Sequence, residues 1–347
     1  MSQQFASDNN AGICPAALES LLEANKAGHA IGYGDDAWTT KARDAIRDLF
    51  EAPAAEVFFV FNGTAANALA LAQICRPYNS VIAHAVSHVD TDEAGACSFF
   101  SGGATVMAAD TPAGKLTPDA VERLATRFSG VHHVKARALS LTQATEMGTV
   151  YSLAELDDVC AVAKRHDLKV HMDGARLANA VATLGCRPAE TTWRCGVDVL
   201  SFGGTKNGLG FGEAVVFFDA SLADEFGWRV KQAGQLNSKM RLATAPWLGL
   251  LANGVWLSNA HHANAMAKRL ADGIKDAPGV RLMHPVDANA VFADIATKVQ
   301  AALRAKGWLF YTFLGATGCR LMCAWDTEPR TVDRFVTDLA QAANAAT

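Results

Sequence analysis

The sequence predicts an α/β fold built on a mostly parallel sheet. Two observations carry that reading. Strand-sized apolar runs alternate with stretches of helical period over the first two thirds of the chain, and most consecutive strand candidates are separated by enough residues for a crossover helix. Parallel strands cannot be joined by tight hairpins, so this spacing is what such a sheet requires. Strands covered by helices on both sides should be buried on both faces.

The elements follow in order. Ala42, Ala45, Ile46, Leu49 and Phe50 recur at helical spacing behind Thr39-Thr40, which predicts an amphipathic helix over 39–50. Strands are predicted at 57–61, 80–83, 104–108, 138–142, 169–172, 197–202 and 214–218. Helical periodicity fills 64–75, 117–128, 152–166 and 175–184 between them. From Pro246 the texture becomes one long helical pattern to about Lys275, followed by short strands at 280–283, 289–294 and 320–325 and helices at 297–305 and 330–344. A boundary near 245 is therefore expected, with a large α/β domain over 1–245 and a smaller α+β domain over 246–347. No repeat or low-complexity linker separates them.

The 347 residues are 50% hydrophobic and 19% charged, within the ordinary globular range. Thirty-one Lys and Arg against 35 Asp and Glu give a net charge of -4 with both signs dispersed, which argues against nucleic acid or an anionic membrane as partner. The longest apolar runs, such as Val57 to Phe61, fall far short of the roughly 20 residues of a membrane helix. Met1 to Asp8 has neither the basic nor the apolar region of a signal peptide, so the cytoplasm is the expected location. Eight scattered cysteines then read as reduced thiols, not as disulfides or a zinc site.

Ligand sites of open α/β sheets lie beyond the carboxyl ends of the strands, and four such ends carry polar residues. After 57–61, Asn62-Gly63-Thr64 opens a helix whose free N–H groups could cradle a phosphate, or simply cap it. After 169–172, Asp173 is followed by Arg176, read as a site carboxylate or as an N-cap with a surface arginine. After 197–202, Lys206 sits among Gly203, Gly204 and Gly208, where a tight backbone could aim the amine into a pocket that lowers its pKa. A solvated loop lysine is the alternative. After 80–83 come His84, His88, Asp90, Asp92 and Glu93. The His84/His88 spacing lacks the intervening Glu and a third ligand, so no metal is expected.

Together, the Gly-Thr turn, the histidine, the strand-end Asp173 and Lys206 at the next strand end form the parts of one cofactor site. This set resembles the fold-type-I pyridoxal-phosphate enzymes. More narrowly, Ser7-Asp8, Tyr33-Gly34-Asp35-Asp36, Asn62 to Asn67, Ser87-His88, Met172 to Arg176, Phe202 to Gly208, Lys231 to Gly234 and Arg320 resemble the L-threonine aldolases in the family's order. The resemblance implies an aspartate aminotransferase-like large domain and pyridoxal 5′-phosphate as cofactor. It implies retro-aldol cleavage of β-hydroxy-α-amino acids such as L-threonine, L-allo-threonine and phenylserine to glycine and an aldehyde.

By the same resemblance, Lys206 is the Schiff-base lysine, Asp173 the partner of the pyridine nitrogen and His88 the ring stacked on the cofactor. Gly63 and Thr64 hold the phosphate, and Lys231 stands where the family has a phosphate-side arginine. Ser7, Tyr33, Arg176 and Arg320 face the substrate or its neighbourhood. Sites shared between subunits of a homodimer or homotetramer are implied too, with Tyr33 or Lys231 serving a neighbour. One departure stands out: Glu146 occupies the position where better-known members have a histidine. The base for the β-hydroxyl is thus open among Asp92, His132, His133 and Glu146, with His132 slightly preferred. A β-eliminating lyase or an aminotransferase would share the Asp–Lys core, and a nucleotide-binding oxidoreductase or a silent binding module are the readings outside this class. Gly208-x-Gly210-x-Gly212 precedes a strand and does not open a helix, the wrong context for a dinucleotide fingerprint.

Overall fold

A computed structural model describes residues 3–346. The N-terminal part opens with helix α1 (Pro15–Lys26) and α2 (Ala37–Leu49), then strand β1 (Glu56–Val60), α3 (Gly63–Ile74) and β2 (Asn79–His84). Two short helices, α4 (His88–Thr91) and α5 (Ala96–Ser101), lead to β3 (Thr105–Ala109), α6 (Pro118–Ala125) and β4 (Lys135–Thr142). After α7 (Leu153–Arg165) come β5 (Lys169–Gly174), α8 (Leu177–Leu184), β6 (Val199–Phe202), β7 (Glu213–Phe217) and α9 (Phe226–Gln232).

These seven strands form one sheet in the order β1-β7-β6-β5-β4-β2-β3. Only β7 runs against its neighbours, β1 and β6; the remaining pairings are parallel. The carboxyl ends of β1, β2, β4, β5 and β6 therefore open at one edge, and the start of β7 joins them there. Alternating side chains bury both faces. Val57, Phe59, Leu139, Met172, Leu200 and Val216 pack into one core, with α2, α6, α7, α8 and α10 (Met240–Leu251). The intervening Val81, Ala138, Val199, Val215 and Phe217 pack into a second, with α3 and α9. Helix α3 is buried along almost its whole length, and Asn67 is the one polar residue among its buried positions 65–72.

Beyond α11 (Val255–Ile274), β8 (Val280–Leu282), β9 (Ala290–Ile295), β10 (Tyr311–Leu314) and β11 (Gly318–Met322) form an antiparallel sheet, ordered β10-β11-β9-β8. It is backed by α12 (Thr297–Ala305) and α13 (Pro329–Ala346). Helix α10 continues unbroken through position 245, where the sequence texture changes, with Pro246 inside it.

The N-terminal arm is tied to this second sheet. Phe5 is buried against Trp308 and Phe335, and its backbone bonds Leu309 and Met322. Burying a phenylalanine is worth about 2–3 kcal/mol. That anchor fixes Ser7 and Asp8 between the two sheets.

The sequence reading did not mark α1, α4, α5, α9 or β10. Helix α1 hides only Ala17 and Ala24, small residues that give a weak apolar stripe. It nests on α10 at Gly249, where a Cβ would collide with Ala16. Strand β10 is a four-residue edge strand with Tyr311 and Phe313 exposed, too short to show a pattern. Among the described residues no helix is long and apolar enough to cross a membrane. The eight cysteines are all free, seven of them buried.

Candidate active site

The strand ends of the large sheet gather a dense set of ionisable side chains. Helix α3 starts directly after β1; the Asn62 side chain caps the Ala65 amide at 2.9 Å, and the amides of Gly63 and Thr64 find no acceptor among the described residues. A Cβ at Gly63 would meet nothing within 4 Å, so this helix start faces open space.

One turn along, Asn67 reaches the strand ends. Its Nδ2 donates to Asp173 Oδ2 at 2.7 Å and to Glu93 Oε1 at 2.8 Å. Glu93 Oε1 also lies 2.9 Å from His88 Nδ1. One amide thus links the carboxylate at the end of β5 to the carboxylate behind the histidine after β2. Asp173 Oδ1 accepts the Ala175 amide at 2.9 Å. Burial would push the Asp173 carboxyl up, but the Lys206 ammonium, the Ala175 amide and Asn67 hold it below the ordinary value. The hydrogen bond to Glu93 raises His88, while burial raises Glu93 itself.

Lys206 follows β6 on a tight turn. Gly203 is required there: its Cβ would sit 2.5 Å from the Ala175 carbonyl oxygen. Glu213 Oε2, at the start of antiparallel β7, accepts the Gly204 amide at 2.6 Å and so pins the turn. The Lys206 amine has no hydrogen-bond or ion-pair partner among the described residues. Burial, and then Arg176, depress its pKa. Burial pushes Glu213 up to about 7.

On the side facing the second sheet, Arg176 grips Asp8 with two bonds, Nε to Oδ2 at 2.7 Å and the second terminal nitrogen to Oδ1 at 2.9 Å. Asn289 Nδ2 adds a third donor to Asp8 at 3.1 Å. Burial opposes ionisation of Asp8, but Arg176 outweighs it and the carboxyl stays below its usual range. Arg320, on β11, lies over the rings of Phe313 and Tyr311, and its Nε is buried without a partner. Ser7 is buried beside Asp8, its hydroxyl accepting the Asn9 amide. After β4, Glu146 Oε1 accepts the His88 amide and the Thr142 hydroxyl, each at 2.9 Å.

Such a site, with an unpaired amine, a buried strand-end carboxylate and a free helix start, suits a phosphorylated aldehyde cofactor. A family profile described as β-eliminating lyase matches residues 4–298. A low specificity L-threonine aldolase of Pseudomonas aeruginosa is 53% identical over 97% of this chain and 97% of its own length. The chain belongs to the β-eliminating lyase family, with the low-specificity threonine aldolases. The aldolase of that name from Escherichia coli is 27% identical over 83% of each chain. A solved Leishmania major threonine aldolase superposes with a TM-score of 0.93, at 30% identity, covering 99% of this chain and 100% of its own.

Within this threonine aldolase framework, the structure brings together Gly63, Thr64, His88, Asp173, Arg176, Lys206, Ser7 and Arg320. Others stand apart. His132 and His133 precede β4, at the opposite end of an eight-residue strand, so roughly 25 Å of backbone separates them from the site edge. His133 instead stacks on Phe128. The preference for His132 as a site base is therefore corrected: the strand polarity puts it at the wrong edge. Asp92 is exposed at the end of α4 and sits on the rim of the site, where its charge acts on Arg320, while Glu93, one residue on, is the carboxylate that turns inward. Tyr33 and Lys231 meet each other, with the amine 4.9 Å from the ring centroid, and line a cavity of about 1040 Å³ beside edge strand β1. His84 is spent on the backbone of Thr111 and Val86.

Asn67, Glu93 and Glu213 had no assigned role from the sequence. Asn67 had a visible signal, as the polar residue of an apolar helix; Glu213 likewise heads the apolar run Ala214–Phe218. Glu93 was one of three acidic residues that sequence alone does not rank.

Proposed function

We infer that this chain cleaves L-threonine, L-allo-threonine and related β-hydroxy-α-amino acids such as phenylserine to glycine and an aldehyde, reversibly. The 53% identity to a low specificity L-threonine aldolase across nearly the full length carries this reading. The cofactor is pyridoxal 5′-phosphate. The unpartnered Gly63 and Thr64 amides fit a phosphate, the ionised Asp173 fits a protonated ring nitrogen, and the unpaired Lys206 amine fits an aldehyde.

When bound, the cofactor supplies an electron sink for the pair released at Cα. The chain's own residues do the rest. Gly63 and Thr64 would hold the phosphate and Lys206 would bond the cofactor, its depressed pKa favouring the nucleophilic amine. Glu93 orients His88, whose ring would lie on the cofactor, and the Lys206 charge, the Ala175 amide and then Asn67 keep Asp173 anionic. Arg320, whose terminal nitrogens make only a 3.5 Å contact to the Ala6 carbonyl oxygen, would take the substrate carboxylate; Arg176 is mostly committed to Asp8, leaving one terminal nitrogen for the same task. Fixing that carboxylate sets which bond at Cα is aligned for cleavage.

Tyr33 and Lys231 lie on the cavity beside β1 and not at Lys206, and we place a second copy of the chain there, so that they serve its site. The apolar wall of Phe58 and exposed Trp228 supports that choice. Sedimentation should then give a dimer or tetramer. The chain's two sheets support a division into a large and a smaller part, with the change falling later than 245, inside α11, where packing passes from the large core at Trp256 and Ala260 to the small core at Met266. A cytoplasmic setting accords with eight free thiols.

The test is aldehyde release from L-threonine by the cofactor-loaded protein, followed with a coupled dehydrogenase. Ammonia and a keto acid in place of aldehyde would assign a β-eliminating lyase, and glutamate-dependent amino transfer an aminotransferase.

A further inference from the structure

Cleavage of the Cα–Cβ bond needs a group that removes the β-hydroxyl proton, and the carboxylates at the strand ends can be compared one by one. Asp8 has both oxygens taken by Arg176 and Asn289. Asp173 is committed to Ala175 and Asn67. Glu93 gives one oxygen to His88 and Asn67, and its other is sealed from solvent. Glu213 is turned to the Gly204 amide beneath the lysine turn. His88 is held toward its protonated form by Glu93, a poor state for a base.

Glu146 differs from all of these. Its Oε1 is fixed by the His88 amide and the Thr142 hydroxyl, its own backbone amide also donates to the carboxylate, and no other described residue donates to Oε2. The residue keeps part of its surface exposed, and Oε2 is not among the sealed, unpartnered oxygens that include Glu93 Oε2. The bond to His88 places the carboxylate beside the histidine assigned to the cofactor. Resting on the aldolase reading above, we propose that Glu146 is the catalytic base of this enzyme, its Oε2 taking the proton of the substrate β-hydroxyl while Oε1 stays anchored.

The step balances. The O–H bond breaks, its electron pair becomes the second bond of the aldehyde carbonyl, and the Cα–Cβ pair stays with Cα. Glu146 leaves with one proton, one proton is delivered to Cα, and glycine plus aldehyde contain every atom of the substrate. The carboxyl is suited to this exchange: burial, then the charge of Asp173, raise it to about 7. The other titratable groups facing it are Arg176, Tyr151 and His88.

Glu146→Gln keeps an oxygen for the His88 and Thr142 donors and removes the base. In the cofactor-loaded protein it should lower kcat for L-threonine by about 10²–10⁴-fold, with glycine affinity, read from the visible spectrum, changed by less than about threefold. The acidic limb of the kcat/KM profile near neutrality should vanish, and Glu146→Asp should restore part of the rate with a displaced limb. Independently of turnover, an infrared pH titration of the cofactor-free protein should show carboxylic acid absorption titrating near neutrality from Glu146 and Glu213, of which Glu146→Gln removes one part and Glu213→Gln the other. Wild-type rates in Glu146→Gln, or equal losses of cofactor binding, glycine binding and turnover with the acidic limb intact, overturn the proposal. A wild-type protein that binds glycine and releases no aldehyde overturns the aldolase reading, and this inference with it.

Discussion

Replacing Asn67 by alanine tests the network that connects His88 to Asp173. The Asn67 amide donates to Glu93 Oε1 and Asp173 Oδ2, both buried. A hydrogen bond to a charged group is worth about 1.5–3 kcal/mol net, so losing two costs at most ~3–6 kcal/mol. The space left by the carboxamide admits water, which repairs part of the loss and favours the lower end of that range. Without the donor between them, Glu93 and Asp173 also repel more strongly, and the Asp173 carboxyl should rise. Urea unfolding followed by tryptophan fluorescence should show Asn67→Ala destabilised by about 3 kcal/mol. A cofactor titration should show weaker binding, because a less ionised Asp173 holds a protonated ring nitrogen less well. Asn67→Asp keeps the shape but sets a third carboxylate between the other two, and should be at least as damaging. If both variants unfold within about 0.5 kcal/mol of wild type and bind cofactor as tightly, the network does not control Asp173 as argued.

Lys206→Ala should abolish the visible band of covalently bound cofactor, and a retained band would show another amine taking its place. Gly203→Ala forces a methyl to within 2.5 Å of the Ala175 carbonyl oxygen and 2.6 Å of its Cα, and should cost about 1–3 kcal/mol of stability with impaired cofactor loading, read by thermal melts and absorbance. Glu213 has a folded pKa of about 7 against an ordinary 4.5, so its contribution is fully present below pH 4.5 and is lost as pH rises through 7. That window is worth up to about 3 kcal/mol, at ~1.4 kcal/mol per unit. Glu213→Gln in the cofactor-free protein should therefore flatten the decline of unfolding free energy between pH 5 and pH 8, and an unchanged slope would contradict the assignment.

The alternation of strand and helix was readable because strands buried on both faces demand continuous apolar runs, and Val57–Phe61 or Ala214–Phe218 can hardly be anything else, although both prove to pair antiparallel. Strand polarity then does much of the functional work. Asp173 and Lys206 were legible as residues at or just beyond the carboxyl ends of their strands, and the same polarity sets His132, which stands before its strand, at the opposite edge of its own copy. Sequence spacing did not carry that distinction for the histidines, since nearness to a strand says nothing about which end faces the site. Short elements such as α4 and β10 were invisible because four residues show no period. Choosing Glu93 over Asp92 was also beyond sequence: adjacent residues of one short turn point in opposite directions, and only the packing against Asn67 decides which is buried. Glu213 escaped notice because its role depends on β7 running antiparallel, which brings the start of that strand to the edge where its neighbours end.

The most direct test of the account is the product balance from L-threonine in the cofactor-loaded wild-type protein. Acetaldehyde and glycine in equal amounts, with no ammonia, are the predicted result. Ammonia with a keto acid, or no product from either threonine or phenylserine despite a visible cofactor band, would contradict the aldolase assignment.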